Sequence, residues 1–351
     1  MNCNYIGMRI GGNSVAVRVL LCAALLAVPC VAPLSLPVGM SVAAAAKKDV
    51  GTELNDLERD LYGVPQKGSV MERINEIEDD LTGQHYSGGL AMRLNFLKKL
   101  VYDSAEQPSL LAQMNAIEWS VSKEVSNKPL TERLDAAELS LSGTVSDGTL
   151  RERIAALSSL AFGSVTIPME EVDVPKNTLV KIALTKEINV KNIVVGDIVP
   201  YKVTEDVTVG DVLVFAAGSE GLGTVKKVKQ AKNFGRNAEL EIELDKTKSV
   251  DGKFVKTFVG DEAKAEMKHL AYAAGASLAG ILVFGPVGVV TGAFVHGKNI
   301  DLPAGSAATV QTYAPTKIWG VNVKFTPTVG NDNADNDAET DDNAVSVGEL
   351  Y

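Results

Sequence analysis

Cysteine stops at position 30. Cys3, Cys22 and Cys30 are the chain's three. Cleavage after residue 46 would leave no disulfide, no thiolate nucleophile and no thiolate metal ligand. Histidine is as scarce: His85, His269 and His296 stand singly, with no His-Glu-x-x-His spacing for zinc. No Gly-x-Ser-x-Gly elbow occurs, since Ser219 sits in "AGSEG". The glycine-rich "GSEGLG" lies between two strand-like runs, whereas a phosphate loop opens a helix. No catalytic residue, metal site or cofactor is therefore expected, and the chain reads as a non-enzyme. Aromatics are only 5%, so the cores must be built from Val, Ile, Leu and Ala. A net charge of −10 argues against nucleic acid as a partner.

The N-terminal 46 residues carry Arg9 and Arg18 and no acid, then the apolar run "VLLCAALLAVPCVAPLSLPV" and the small-residue exit "SVAAAA". That is the anatomy of a secretory signal peptide, with the cut expected after Ala46. Pro29, Pro33 and Pro37 interrupt the run and disfavour a retained anchor. Losing Arg9 and Arg18 takes the net charge from −10 to −12. An exported chain without cysteine fits a bacterial envelope protein held together by packing alone.

Residues 47–163 follow one plan, written about six times at twenty-residue intervals. "LERDLYG" at 57–63 returns as "IEDDLTG", "LKKLVYD", "IEWSVSK", "AELSLSG" and "LSSLAFG". Val70, Ile74, Ile77 and Leu81 are spaced four, three and four apart, which places them on one helix face. Gly63, Gly83, Gly143 and Gly163 share the column after the last apolar position, where a left-handed residue closes a helix. Asp103 and Lys123 occupy that column in the third and fourth copies. Ser69 with Glu72 and Thr149 with Glu152 are capping-box patterns, and Pro108 and Pro129 fall at helix starts. Each unit is expected to be a helix of about 12–14 residues and a loop of about six to eight, stacked into a rod or curved array of short antiparallel helices. Arg73, Arg93, Arg133 and Arg153 share one column, and Glu58, Glu78, Glu118 and Glu138 another. These read as a solvated, internally ion-paired face or as a charged docking stripe.

From Val165 the period changes to two. In "AELEIEL", Leu240, Ile242 and Leu244 should face inward and Glu239, Glu241 and Glu243 outward. Strand-like runs recur about every ten residues and predict an all-β barrel or sandwich over 164–326. The whole is therefore α+β in separate domains, with an acidic disordered tail at 327–351 that holds seven acids and no base.

The repeat pattern R-[LI]-x-x-[LI]-E-x-x-[LV]-x-G resembles short tandem helical repeats in exported proteins of cyanobacteria and Gram-negative-type Firmicutes. In the β domain, a strand end, a tight turn and a new strand recur in "VPKNTLVKI", "FAAGSEGLGTV" and "LPAGSAATV". With "VDGKFVKTFV", their order resembles a widespread exported bacterial β-barrel domain. It resembles, more distantly, the barrel of the outer-membrane core scaffold subunit of type IV secretion systems. The positions that carry this likeness are Asn177, Thr178, Gly218, Ser219, Asp251, Gly252, Gly305 and Ser306. The resemblance implies an envelope setting and structural roles for these turns.

Leu270 to Val295 has 26 residues and no charge. That is long enough to cross a bilayer as one helix, but Gly285-Pro286 would break it. A helical hairpin is expected, either packed on its own barrel or contacting a membrane or partner. In the secretion scaffold an apolar insertion falls at a similar place. The candidate contact residues are Leu278, Ile281, Leu282, Val283, Phe284, Val287, Val289, Val290 and Phe294. Lys226, Lys227, Lys229, Lys232 and Arg236 read either as a glycan or anionic-surface contact or as lysines paired with the β-strand glutamates. The sequence thus points to an envelope scaffold docking on a membrane or protein partner, with oligomerisation open. A secreted peptidoglycan- or glycan-binding module is the second reading.

Overall fold

A computed structural model describes residues 49–230, 238–273, 293–297 and 300–325. Six helices come first: α1 (Val50–Tyr62), α2 (Val70–Thr82), α3 (Leu90–Tyr102), α4 (Leu110–Ser122), α5 (Leu130–Leu141) and α6 (Leu150–Phe162). Each starts twenty residues after the last. Both capping boxes form, with Ser69 and Thr149 accepting from the backbone N–H of Glu72 and Glu152. Gly63, Gly83 and Gly163 end their helices in the left-handed conformation. Lys123 does the same at φ 59°, and its ammonium lies 4.0 Å from the Trp119 ring centre. Asp103 stays extended. Helix α5 ends one residue early, at Leu141, with Ser142 as its cap and Gly143 left-handed behind it.

The apolar columns are buried as expected: Ile74, Ile77 and Leu81 are at most 1% exposed. Their packing is not that of a rod in which each helix meets only its neighbours. Helix α1 packs on α3 and α5, and α2 on α6. Thr131 donates to the Leu61 carbonyl at 2.9 Å, and Lys98 reaches Glu53 at 3.0 Å. Loops of seven or eight residues are long enough to fold the series back into a bundle, which buries each stripe from more than one side.

The charged columns are ion-paired with one another, as one of the two readings had it, but the face they form is buried. They are neither solvated nor free to dock. Glu58 and Glu78 are fully buried, and Arg73 and Arg93 are 9% exposed. Each arginine reaches back fifteen residues to the glutamate of the preceding helix and eighteen to an Asn or Asp. Arg93 bonds Glu78 Oε1 at 2.7 Å and Asn75 Oδ1 at 2.5 Å. Arg133 bonds Glu118 and Asn115, Arg153 bonds Glu138 and Asp135, and Arg73 bonds Glu58 and Asn55. The glutamate also accepts a loop N–H eight residues on: Gln66, Tyr86, Ser126 and Ser146 in turn. Arg73, Arg93 and Arg153 pair bidentately while Arg133 meets one oxygen of Glu118, and with the backbone donor each carboxylate is satisfied, which is the condition for burying such a charge. Between α3 and α4 the motif is replaced by Lys98 and Gln113, so the clamps join α1–α3 and α4–α6 in two sets of three.

The β domain has six strands closed into a barrel. These are β2 (Leu179–Leu184), β4 (Ile198–Val203), β7 (Glu220–Lys229), β8 (Ala238–Lys248), β9 (Phe254–Phe258) and β12 (Ala307–Thr312). Their order is β8-β7-β4-β2-β12-β9, and β9 returns to β8. Leu240, Ile242 and Leu244 point into it at 0% exposure. A second sheet runs β1 (Met169–Val174), β13 (Thr316–Asn322), β6 (Val212–Phe215) and β5 (Val207–Val209). It is a shared layer. Leu213 and Val321 belong to the helical core, while Val214 and Ile318 belong to the barrel core. Two short strands, β3 (Ile188–Asn189) and β11 (Asp301–Leu302), pair with each other.

Helix α4 is the joint between helices and β domain, which explains why its copy departs from the repeat. It buries Leu110, Ala112, Met114, Asn115, Ala116, Ile117 and Trp119. Asn115 serves its arginine and also donates to the Val250 carbonyl at 2.8 Å. Trp119 Nε1 donates to Asp206, whose other oxygen accepts from the Ala217 N–H, each at 2.8 Å. The Val125 N–H bonds the Ala217 carbonyl at 2.8 Å. Gly218 sits at φ +84°, and a Cβ there would lie 2.1 Å from the Val125 carbonyl, so both conformation and contact require glycine.

Candidate docking site at the barrel rim

Strand β8 offers one edge to two strands. Lys246–Lys248 pair with β9, and Ala238–Ile242 pair with β10 (Ala293–Gly297). The chain leaves the barrel wall after β9, enters α7 (Asp261–Ala273), and comes back to that same edge as β10. The apolar insert thus runs from a helix that packs on β12 to a strand that pairs with β8.

Helix α7 is fixed at its start. Ala263 and Met267, one turn apart, are 0% and 4% exposed and join the barrel core, so α7 plugs the barrel. The side chain of Gln311 on β12, 1% exposed, organises the junction. Its carbonyl accepts the Ala263 N–H at 3.0 Å, and its amide donates to Glu262 Oε2 and Asn177 Oδ1, each at 2.8 Å. Asn177 Nδ2 closes the ring on Glu262 Oε1 at 2.9 Å. The Gln311 amide is the main cause that holds the Glu262 carboxyl below its ordinary value. Gly260 leaves room for this amide, since a Cβ there would fall 2.5 Å from it.

The turn residues anticipated from sequence are structural. Asn177, Gly218, Gly252 and Gly305 all have positive φ. Thr178 and Ser306 each donate to a proline carbonyl three residues back, at 2.8 and 2.7 Å. Asp251 is fully buried and accepts from Ser249 and from the N–H groups of Lys253 and Trp319. Asn177 has the further role in the Gln311 ring. That role, with Gln311 and Glu262 themselves, carries no signal in sequence because the three lie 49 to 134 residues apart.

Leu278, Ile281, Leu282, Val283, Phe284, Val287, Val289 and Val290 lie outside the described residues, as do the expected leader 1–46 and the expected acidic tail 327–351. Phe294 lies in β10, in register with Glu241. The lysines of β7 are paired across the strand: Lys226 with Glu243 at 2.7 Å, and Lys227 and Lys229 with Glu239 at 2.8 and 2.9 Å. Those two lysines lower the Glu239 carboxyl to about 2. Lys232 and Arg236 lie outside the described residues.

No family model matches this chain, and no curated protein matches it. Among the solved structures that this chain is similar to is ComB10 of the Com type IV secretion system of Helicobacter pylori. Identity is 12%, covering 42% of this chain and 89% of that one, with a TM-score of 0.23. At that identity and score, ComB10 lends no function to this chain.

Among the described residues no group of three or more His, Cys, Asp or Glu is placed to hold a metal. No described helix is long and apolar enough to cross a membrane. The polar cluster inside the barrel is a packing device. Burial pushes the Tyr201 phenol up to about 12, and its hydroxyl bonds the Lys246 carbonyl at 3.0 Å and Thr247 Oγ1 at 2.9 Å.

Proposed function

We propose that the protein is a non-enzymatic scaffold of the bacterial cell envelope. In this reading the clamped helices form a stiff base, and the barrel presents the rim of α7 and β10 to a membrane or a protein partner. The observation that carries it is the rooting of the insert. A helix start tied through Gln311 of β12 and a return strand on β8 anchor both flanks of an uncharged segment on the barrel. An apolar surface of that length is stable only against lipid, another protein or its own fold. Export through the leader and a position in the periplasm or at the outer membrane belong to the same proposal. The peptidoglycan- or glycan-binding alternative gains nothing from β7, whose lysines are engaged by glutamates.

The test is deletion of 274–292 with a short Gly-Ser closure. The plug residues Ala263 and Met267 remain, so the variant should fold and stay soluble. The intact chain should sediment with envelope membranes and the variant should not. Equal partitioning of two folded proteins would sink the docking reading.

A further inference from the structure

A cavity of about 890 Å³ lies between the helices and the barrel. Its volume falls in the range of small-molecule sites. Its charge runs against that of the protein. Five basic residues line it against two acids, Asp60 and Glu220, in a chain of net charge −10. Arg133 is spent in its clamp with Glu118. The other four keep donors to spare. Arg59 pairs with Asp56 at 2.9 Å and Lys128 with Glu132 at 2.5 Å, and all four of these groups are well exposed. Such pairs are weak and readily exchanged for a better acceptor. Lys248 meets Glu220 at 3.0 Å, and Lys253 meets Asp251 at 3.5 Å and the Ser104 carbonyl at 3.3 Å; with three donors on each ammonium, at least one proton is left on each.

The barrel wall adds an aromatic platform. Phe254 is 45% exposed, a large apolar surface left open at the cavity. It pairs with Lys248 across β8 and β9, and the Lys248 ammonium stands 5.2 Å from the ring centre. Opposite, the Tyr102 hydroxyl donates to Asp60 at 2.6 Å. A ring that stacks on an apolar face beside a cation that takes an anion fits a sugar ring bearing a carboxylate.

We propose that this cavity binds an acidic saccharide, its ring stacked on Phe254 and its carboxylates held by Lys248 and Lys253. The site lies between the helices and β8–β9 and does not depend on the docking reading of the rim. The experiment is calorimetric titration of the full chain with a short oligogalacturonate, with uncharged maltooligosaccharide and inorganic phosphate as comparison probes. Oligogalacturonate should bind, with affinity falling as salt rises. Lys248→Gln with Lys253→Gln should weaken it by at least roughly tenfold. Phe254→Ser should also weaken it, with the helical and β circular dichroism of both variants unchanged. Arg59→Gln, on the facing wall, gives a second readout if the lysine variant fails to fold. Absence of oligogalacturonate binding by the intact chain overturns the proposal. So does phosphate binding as tightly, or affinity unmoved in folded variants.

Discussion

Arg93 and Glu78 meet across fifteen residues of chain, and both leave water to do so. An exposed pair of this kind contributes little, but a buried one is costly to break because the surviving charge has no partner. Arg93→Met should therefore destabilise the protein by about 3–5 kcal/mol in urea unfolding, while the double variant Arg93→Met, Glu78→Leu should recover much of that loss. Equal losses in the single and double variants would show that the pair is not coupled. The pH dependence follows from the same carboxylates. Burial works to raise Glu78 and Glu138, but Arg93, Arg153 and the loop N–H groups outweigh it, and both end below their ordinary 4.5. A carboxyl depressed on folding contributes stability above its unfolded value and loses it as pH falls through the folded one. Stability should thus be flat near neutrality and drop below about pH 4.5, with a shallower drop in Glu78→Gln.

At the scale of elements, α7 depends on one side chain from a distant strand. Gln311→Ala removes the acceptor for the Ala263 N–H and the donors to Glu262 and Asn177 together. The cost should be about 1–3 kcal/mol, since the groups left behind are partly reachable by water. Hydrogen exchange should show where it falls: amides of Asp261–Ala273 should exchange faster, and those of α2 should be unchanged. Faster exchange throughout would mean that the ring supports the whole fold and has no special role at the rim. The helices show the reverse economy. Helices α2 and α6 are closed at both ends by their own capping residues, so their limits were legible in the sequence to within a residue, as at Ser69–Glu72 and Gly83.

Across the whole molecule, helices and barrel share a layer. The helical core takes in Leu213, Ala216, Val250 and Val321 from the β domain, and Asn115 bonds both halves. Ile77→Asp, which puts a charge at a position 1% exposed, should cost more than about 3 kcal/mol and should be felt beyond the helices. Trp119 lies on α4 and Trp319 on β13. Each, in a background with the other replaced by Phe, reports its own element, Trp119 at the joint and Trp319 in the shared sheet. In the Ile77→Asp protein the two fluorescence transitions should coincide. A Trp319 transition left at its original midpoint would show that the barrel stands without the helical core.

The sequence alone determined the elements. Its twenty-residue period, caps and closing glycines set the six helices, and its alternation set the inward face of β8, because these are local preferences of backbone and side chain. What it did not decide is where charge goes. Arginine and glutamate columns on a helix read as solvated until a partner fifteen residues away and a loop N–H are seen to satisfy them together. The fold-back of the helices into a bundle, the joint at α4 and the Gln311 ring are likewise tertiary. Each rests on groups brought together across long stretches of chain, and spacing along a sequence carries no record of such meetings.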